Sequence, residues 1–134
     1  SQGVKNIVPA LNSNGGKIMF DTSKEPYVFF MGGADRRRRI EDLVDSLDVL
    51  STKQPGLRLV LAGYDFQSLD DLPQPLLKEK IERSDAKDMI LFAGFISDAE
   101  KNALFKNAIA FVFPSIYEGF GLPILEAMQF DCVL

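Results

Sequence analysis

Short apolar runs alternating with amphipathic stretches predict a doubly wound α/β fold built on a parallel sheet. Strand-length apolar runs stand at 27–31, 57–62, 89–93 and 109–113, and each ends at glycine or proline: Gly32-Gly33, Gly63, Gly94 and Pro114. The stretches between them carry apolar residues at helical spacing, as in Ile40, Leu43, Val44, Leu47 and Leu50. Strands separated by helical stretches of about 10–15 residues form parallel sheets covered on both faces.

Residues 1–25 are the least regular. Residues 4–8 and 17–20 offer short strands, and Asn12-Ser13-Asn14-Gly15-Gly16 is turn-like. This segment reads as a linker or an edge piece, with the domain proper at 26–134. The run 27–31 is the first parallel strand. Asp35 is the expected N-cap of the helix after it, with Asp45, Ser46 and Asp48 on its outer face. Pro55-Gly56 makes the turn into the second strand, after which Tyr64-Asp65 reads as loop. Pro73 and Pro75 delay the second helix to about Leu76, and Leu77 and Ile81 are its buried side. The third strand follows at 89–93. Ser97 and Glu100 form a capping box, and Ala103, Leu104 and Ala108 face inward from the helix it opens. Residues 109–113 are the fourth strand, a fourth helix begins near Leu122, and 132–134 look like the start of a fifth strand.

Composition limits the chemistry. The 134 residues suffice for one domain with a modest core. A net charge of −4 argues against broad nucleic-acid affinity. No apolar run approaches the roughly 20 residues of a membrane helix. One cysteine excludes an internal disulfide, and the lack of histidine excludes a Ser-His-Asp triad or Cys-His pair within the chain. A zinc site is excluded with them. Acid–base work falls to carboxylates, lysine or tyrosine.

The richest stretch follows the fourth strand. Pro114 ends the strand, Gly119 and Gly121 leave bare backbone, and Pro123 stands where a proline opens a helix without losing a needed hydrogen bond. Backbone N–H groups and the positive end of a helix dipole then converge on one spot, which suits an anion. Glu118 and Glu126 flank that spot, and carboxylates there suit hydroxyl groups. Tyr117 and Phe120 read equally as core residues. In a sheet of order 3-2-1-4-5, the first and fourth strands lie side by side where the winding reverses, and ligands bind outside their carboxyl ends. This Rossmann-like arrangement brings Gly32-Gly33 and Gly119–Gly121 to one crevice. The run Arg36-Arg37-Arg38-Arg39 has three readings: a solvated first helical turn, a nucleic-acid patch, or a crevice arginine on a diphosphate. The last uses arginine's fixed, always-charged fork.

Pro114, Ser115, Tyr117, Glu118, Gly119, Phe120, Gly121, Leu122, Pro123, Leu125, Glu126, Ala127 and Met128 resemble the signature of the family 4 retaining glycosyltransferases, which have the GT-B fold. The two glutamates keep the family's spacing. Gly32, Gly33, Asp35, Arg37 and Arg38 resemble its first donor loop, and Gly94, Phe95, Ile96, Ser97 and Asp98 also fit its pattern.

The resemblance implies the C-terminal, donor-binding domain of a GT-B enzyme that moves a hexose from a nucleoside diphosphate sugar to an acceptor hydroxyl. Glu118 would lie at the donor sugar's hydroxyls near the anomeric carbon, with Arg38 neutralising the departing diphosphate. The backbone of Gly119, Phe120, Gly121 and Leu122 would hold sugar and diphosphate, together with Gly32 and Gly33. Glu126 would take the ribose hydroxyls, and Phe95 and Ile96 would border the base. No metal or other cofactor is expected. The acceptor, a glycan or lipid-linked sugar, would be held by an N-terminal domain outside this chain. The enzyme would be cytoplasmic, or peripheral at the inner membrane face. The chain is expected to be a piece of such an enzyme, cut off within the donor domain, inactive alone and open to homodimerisation through its exposed edge.

Some positions depart from the family. Gly33 stands where many members have arginine, Arg38 where they have lysine, and Asp131 and Val133 where glycine and proline are common. The rival readings are a non-catalytic nucleotide-binding or regulatory module and a dinucleotide oxidoreductase. Against the latter, Gly32-Gly33-Ala34-Asp35-Arg36 is not a Gly-x-Gly-x-x-Gly turn.

Overall fold

The computed structural model describes residues 6–112. In it the chain forms β1 (Ile7–Asn12), β2 (Lys17–Asp21), β3 (Tyr27–Met31), α1 (Arg37–Lys53), β4 (Arg58–Ala62), α2 (Pro75–Glu82), β5 (Ile90–Gly94), α3 (Asp98–Asn107) and β6 (Ala110–Val112). The strands make one sheet in the order β2-β1-β5-β4-β3-β6. The four strands from β3 onward pair in parallel, and their order, β5-β4-β3-β6, is the predicted 3-2-1-4. The expected fifth strand and fourth helix lie outside the described residues.

The stretch read as a linker or edge piece is a regular hairpin. Asn12 is the reason: its Oδ1 accepts hydrogen bonds from the Asn14 and Gly16 amides at 3.0 and 2.9 Å. Gly15 takes the left-handed conformation (φ 86°) that this tight turn needs. Val8 then faces Phe20 across the pair, and both are buried. β1 joins the sheet antiparallel to β5, with Leu11 opposite Phe92. Sequence alone does not specify this pairing, because the partner strand is some eighty residues away.

The parallel strands are buried on both faces, and their side chains divide by alternation. Val28, Phe30, Leu59, Leu61, Ile90 and Phe92 pack with Ile40, Leu43, Val44 and Leu47 of α1 and Leu77 and Ile81 of α2. Tyr27, Phe29, Val60, Leu91 and Phe111 pack on the other side with Leu104 of α3 and with Val8 and Phe20 of the hairpin. Rings of Phe29, Phe105 and Phe111 sit 4.5–5.4 Å apart, centroid to centroid. Fully burying each large side chain contributes roughly 1.5–3 kcal/mol. The spacing that predicted α1 is its buried stripe, but Ser46, expected on the outer face with Asp45 and Asp48, is buried beside Leu47, and Pro75 opens α2 at its first turn.

α3 is fastened at both ends. The capping box is present: Ser97 Oγ accepts from the Glu100 amide at 3.1 Å, and Glu100 Oε1 accepts from the Ser97 amide at 2.8 Å. At the other end the fully buried Tyr27 donates its hydroxyl to the Leu104 carbonyl at 2.7 Å, and Asn107 Nδ2 donates to Thr22 Oγ1 at 3.0 Å.

Burial pushes the Tyr27 hydroxyl above its ordinary ionisation range. The unfolded tyrosine loses its proton near pH 10 and the folded one keeps it, so stability falls as pH rises above about 10. Tyr27→Phe should lower stability by about 1 kcal/mol at neutral pH. It should also flatten the alkaline fall in denaturant midpoint; equal alkaline slopes for the two proteins would show that the buried Tyr27 hydroxyl does not drive that fall.

Candidate functional site

All four parallel strands end on one edge of the sheet, and the loops there are tied together by backbone. The Gly32 amide donates to the Ala62 carbonyl at 3.1 Å, and the Gly63 amide donates to the Gly94 carbonyl at 2.8 Å. Gly63 has φ 135°, and a Cβ placed on it would collide with the Gly32 carbonyl oxygen. Only glycine combines that φ with so close an approach. The loops after β3 and β4 are therefore held against each other without side chains between them.

The chain after Gly33 makes a single 3-10 turn, Ala34–Arg36, before α1 begins at Arg37. Asp35 does not cap the helix, contrary to expectation: it lies inside the turn, exposed, and neither Gly33 nor Arg36 at the two helix starts offers a side-chain cap. The carboxylate that serves this helix start comes from the neighbouring loop. Asp65 Oδ2 accepts the Ala34 amide at 3.0 Å. Read from sequence as plain loop beyond the switch point, Asp65 belongs to the crevice rim. The available signal was its place just after the glycine that ends β4, beside the first strand in the predicted order.

The arginine run turns outward from this point. Arg36, Arg37, Arg38 and Arg39 line an open cleft of about 390 Å³ with Asp35 and Asp42. Arg37 pairs with Glu41 one helical turn on, at 3.5 Å. Arg38 is exposed and forms no ion pair with a described residue. The first turn of α1 holds no acid; Asp35 and Asp42 line the cleft and Asp65 bonds the amide before it, so four guanidinium groups and the positive helix end stand against three carboxylates. Such a site attracts an anion, and arginine favours the oxygens of phosphate or carboxylate.

The predicted site residues divide by position. Gly32, Gly33 and Arg38 lie together on the loop and helix start after β3. β6 lies directly beside β3, with Phe30 opposite Val112, so the chain leaves β6 next to that loop. Phe95 and Ile96 follow β5, two strands away; Phe95 is 79% exposed, and Ile96 packs partly against the core. Glu118, Gly119, Phe120, Gly121, Leu122 and Glu126 lie outside the described residues. Tyr64, after β4, is 81% exposed, so two aromatic side chains project from adjacent loops of this edge. Among the described residues, no helix is long and apolar enough to cross a membrane.

Sheet order, two-sided burial and the glycine-bound carboxyl edge define a Rossmann-like α/β domain. Residues 18–134 match the family of glycosyl transferases group 1, and the chain belongs to that family. It is similar to O-antigen chain mannosyltransferase B of Escherichia coli, 34% identical over 104 residues, covering 77% of this chain and 26% of that protein. It is also similar to mannosylfructose-phosphate synthase of Agrobacterium fabrum, 31% identical over 105 residues, covering 75% of this chain and 23% of that protein. A third relative is the serotype-specific mannosyltransferase WbdA of Escherichia coli, 29% identical over 105 residues, with 78% of this chain and 13% of that protein covered. The chain spans about a quarter of the length of the first two relatives.

Gly63→Ala should cost more than the roughly 1–3 kcal/mol of backbone strain at φ 135°, because the added Cβ also overlaps the Gly32 carbonyl oxygen. Gly94→Ala meets only the movable side chain of Gln67 besides its φ of 62°, and should cost less. Chemical denaturation of both variants measures the difference, and an equal or reversed order would contradict the close approach of the two loops.

Proposed function

We propose that this chain is the donor-binding part of a retaining family 4 glycosyltransferase of GT-B architecture. The reaction moves a hexose, by analogy with its relatives a mannose, from a nucleoside diphosphate sugar to an acceptor hydroxyl. The observation that carries this reading is the reversal of strand order between β3 and β6. It puts the arginine-lined start of α1 beside the strand that leads into the glutamate signature. Family membership weighs against a non-catalytic module.

In this reading the bond between the anomeric carbon and the diphosphate oxygen breaks, and negative charge grows on the nucleoside diphosphate. Arg38 and the start of α1 meet that charge with donors already in place, which is worth most in the transition state. Gly32 and Gly33 lend their bare backbone to the loop, but the Asp35 and Asp65 carboxylates stand over Gly33, so the phosphates meet the turn on its arginine side. Glu118 holds the sugar hydroxyls near the anomeric carbon. The amides of Gly119, Phe120, Gly121 and Leu122 hold the sugar and diphosphate, and Glu126 takes the ribose hydroxyls. Phe95 and Ile96 border the base. Fixed cationic and dipolar donors of this kind make a metal unnecessary at the diphosphate. The acceptor, a glycan or lipid-linked sugar, is presented by an N-terminal domain of the full enzyme, at the cytoplasmic side of a membrane. This chain alone binds donor without transferring it and pairs with a second copy through its sheet edge.

Two substitutions test the assignment by calorimetry on the 134-residue chain. Arg38→Ala should weaken GDP about tenfold, the worth of a charge-assisted hydrogen bond, and leave guanosine unchanged; equal losses would remove Arg38 from the phosphates. Glu126→Ala should weaken guanosine and GDP alike, and an unchanged affinity for both would remove its ribose role.

A further inference from the structure

Asp65 has no part in the family signature and none in the reading above, yet it is the side chain that fixes the start of the arginine helix. We propose that Asp65 is a positioning residue for the donor diphosphate: its carboxylate, bonded to the Ala34 amide at 3.0 Å, sets the Gly33–Arg38 turn in the conformation that receives the phosphates. The inference rests on the donor-binding reading.

Geometry singles it out. The turn between Gly33 and α1 has no side-chain acceptor of its own, at either helix start. The residues that follow are four arginines, whose mutual repulsion and opposition to the helix dipole work against winding the first turn. Ala34 is fully buried, so its amide requires a partner. Asp65 meets that need from a loop anchored on its other side: the Gly63 amide donates to the Gly94 carbonyl at 2.8 Å, and the Phe66 amide donates to the Gly63 carbonyl at 3.0 Å. The carboxylate also lies over Gly33, its Oδ2 3.5 Å from where a Cβ would stand.

Two consequences follow for a bound diphosphate. The Ala34 amide is already taken, so the phosphates are directed past it to the arginine cleft. The turn is also wound before the ligand arrives, so less ordering cost falls on binding. Asp65 thus acts through the turn rather than on the substrate. An asparagine there retains an acceptor oxygen for the same amide, whereas alanine removes it.

The test compares Asp65→Ala with Asp65→Asn in the 134-residue chain, using GDP and guanosine as calorimetric probes and hydrogen exchange of the Ala34 amide. Asp65→Ala is expected to weaken GDP about tenfold while sparing guanosine, and to speed Ala34 exchange. Asp65→Asn is expected to stay within about twofold of the original protein in both readouts, since its side-chain oxygen still accepts from the Ala34 amide. The proposal is overturned if Asp65→Ala binds GDP as the original protein does, if guanosine falls equally, or if Asp65→Asn loses as much as Asp65→Ala. If the unsubstituted chain binds neither GDP nor UDP, the donor reading fails, and the positioning proposal for a diphosphate fails with it. Ala34 exchange then still reports whether Asp65 fixes the turn.

Discussion

The pairing of β3 on both edges, with burial of both its faces, is the constraint from which the other elements take their places. Tyr27, Val28, Phe29 and Phe30 are each at most 2% exposed. Every residue of that run needs a cover, so one face demands α1 and α2 and the other demands α3 and the hairpin. A parallel strand also cannot reach its neighbour by a tight turn, so a helix must cross over between each pair. From these requirements the sheet order and the common carboxyl edge follow. The edge is where the loops after β3, β4 and β5 are released together.

What happens at that edge depends on glycine more than on any charged group. Gly32 and Gly63 let two backbones touch, which locks the loops after β3 and β4 into one body. Asp65 and Ala34 extend that lock by one hydrogen bond into the helix start. The arginine cleft is thus mounted on the sheet rather than on a free loop. A rigid mount matters for leaving-group stabilisation, because donors that must reorganise during the reaction lose much of their advantage.

Much of this was legible in the sequence, and the exceptions share a cause. Strand runs ending in glycine, the α1 stripe from Ile40 to Leu47 and the Ser97–Glu100 capping box are local patterns, and each formed as expected. The 3-2-1-4 order came from the general rule for alternating strands and helices, which needs no knowledge of individual contacts. The hairpin at 7–21 was under-read because its place in the sheet is set by β5, far along the chain. Asp35 was read as the cap and Asp65 as plain loop for the same reason: an acceptor supplied from a neighbouring loop leaves no mark at the helix it serves. Arg38, Gly32 and Gly33 were brought together by the chain itself. The glutamate half of the candidate site rests on the signature and on β6 lying beside β3.

The central claim is that this edge recognises a nucleoside diphosphate joined to a sugar. Calorimetric titration of the chain with GDP-mannose, UDP-glucose and NAD tests it most directly. One of the two nucleotide sugars should bind more tightly than NAD. Tighter binding of NAD than of either would contradict it.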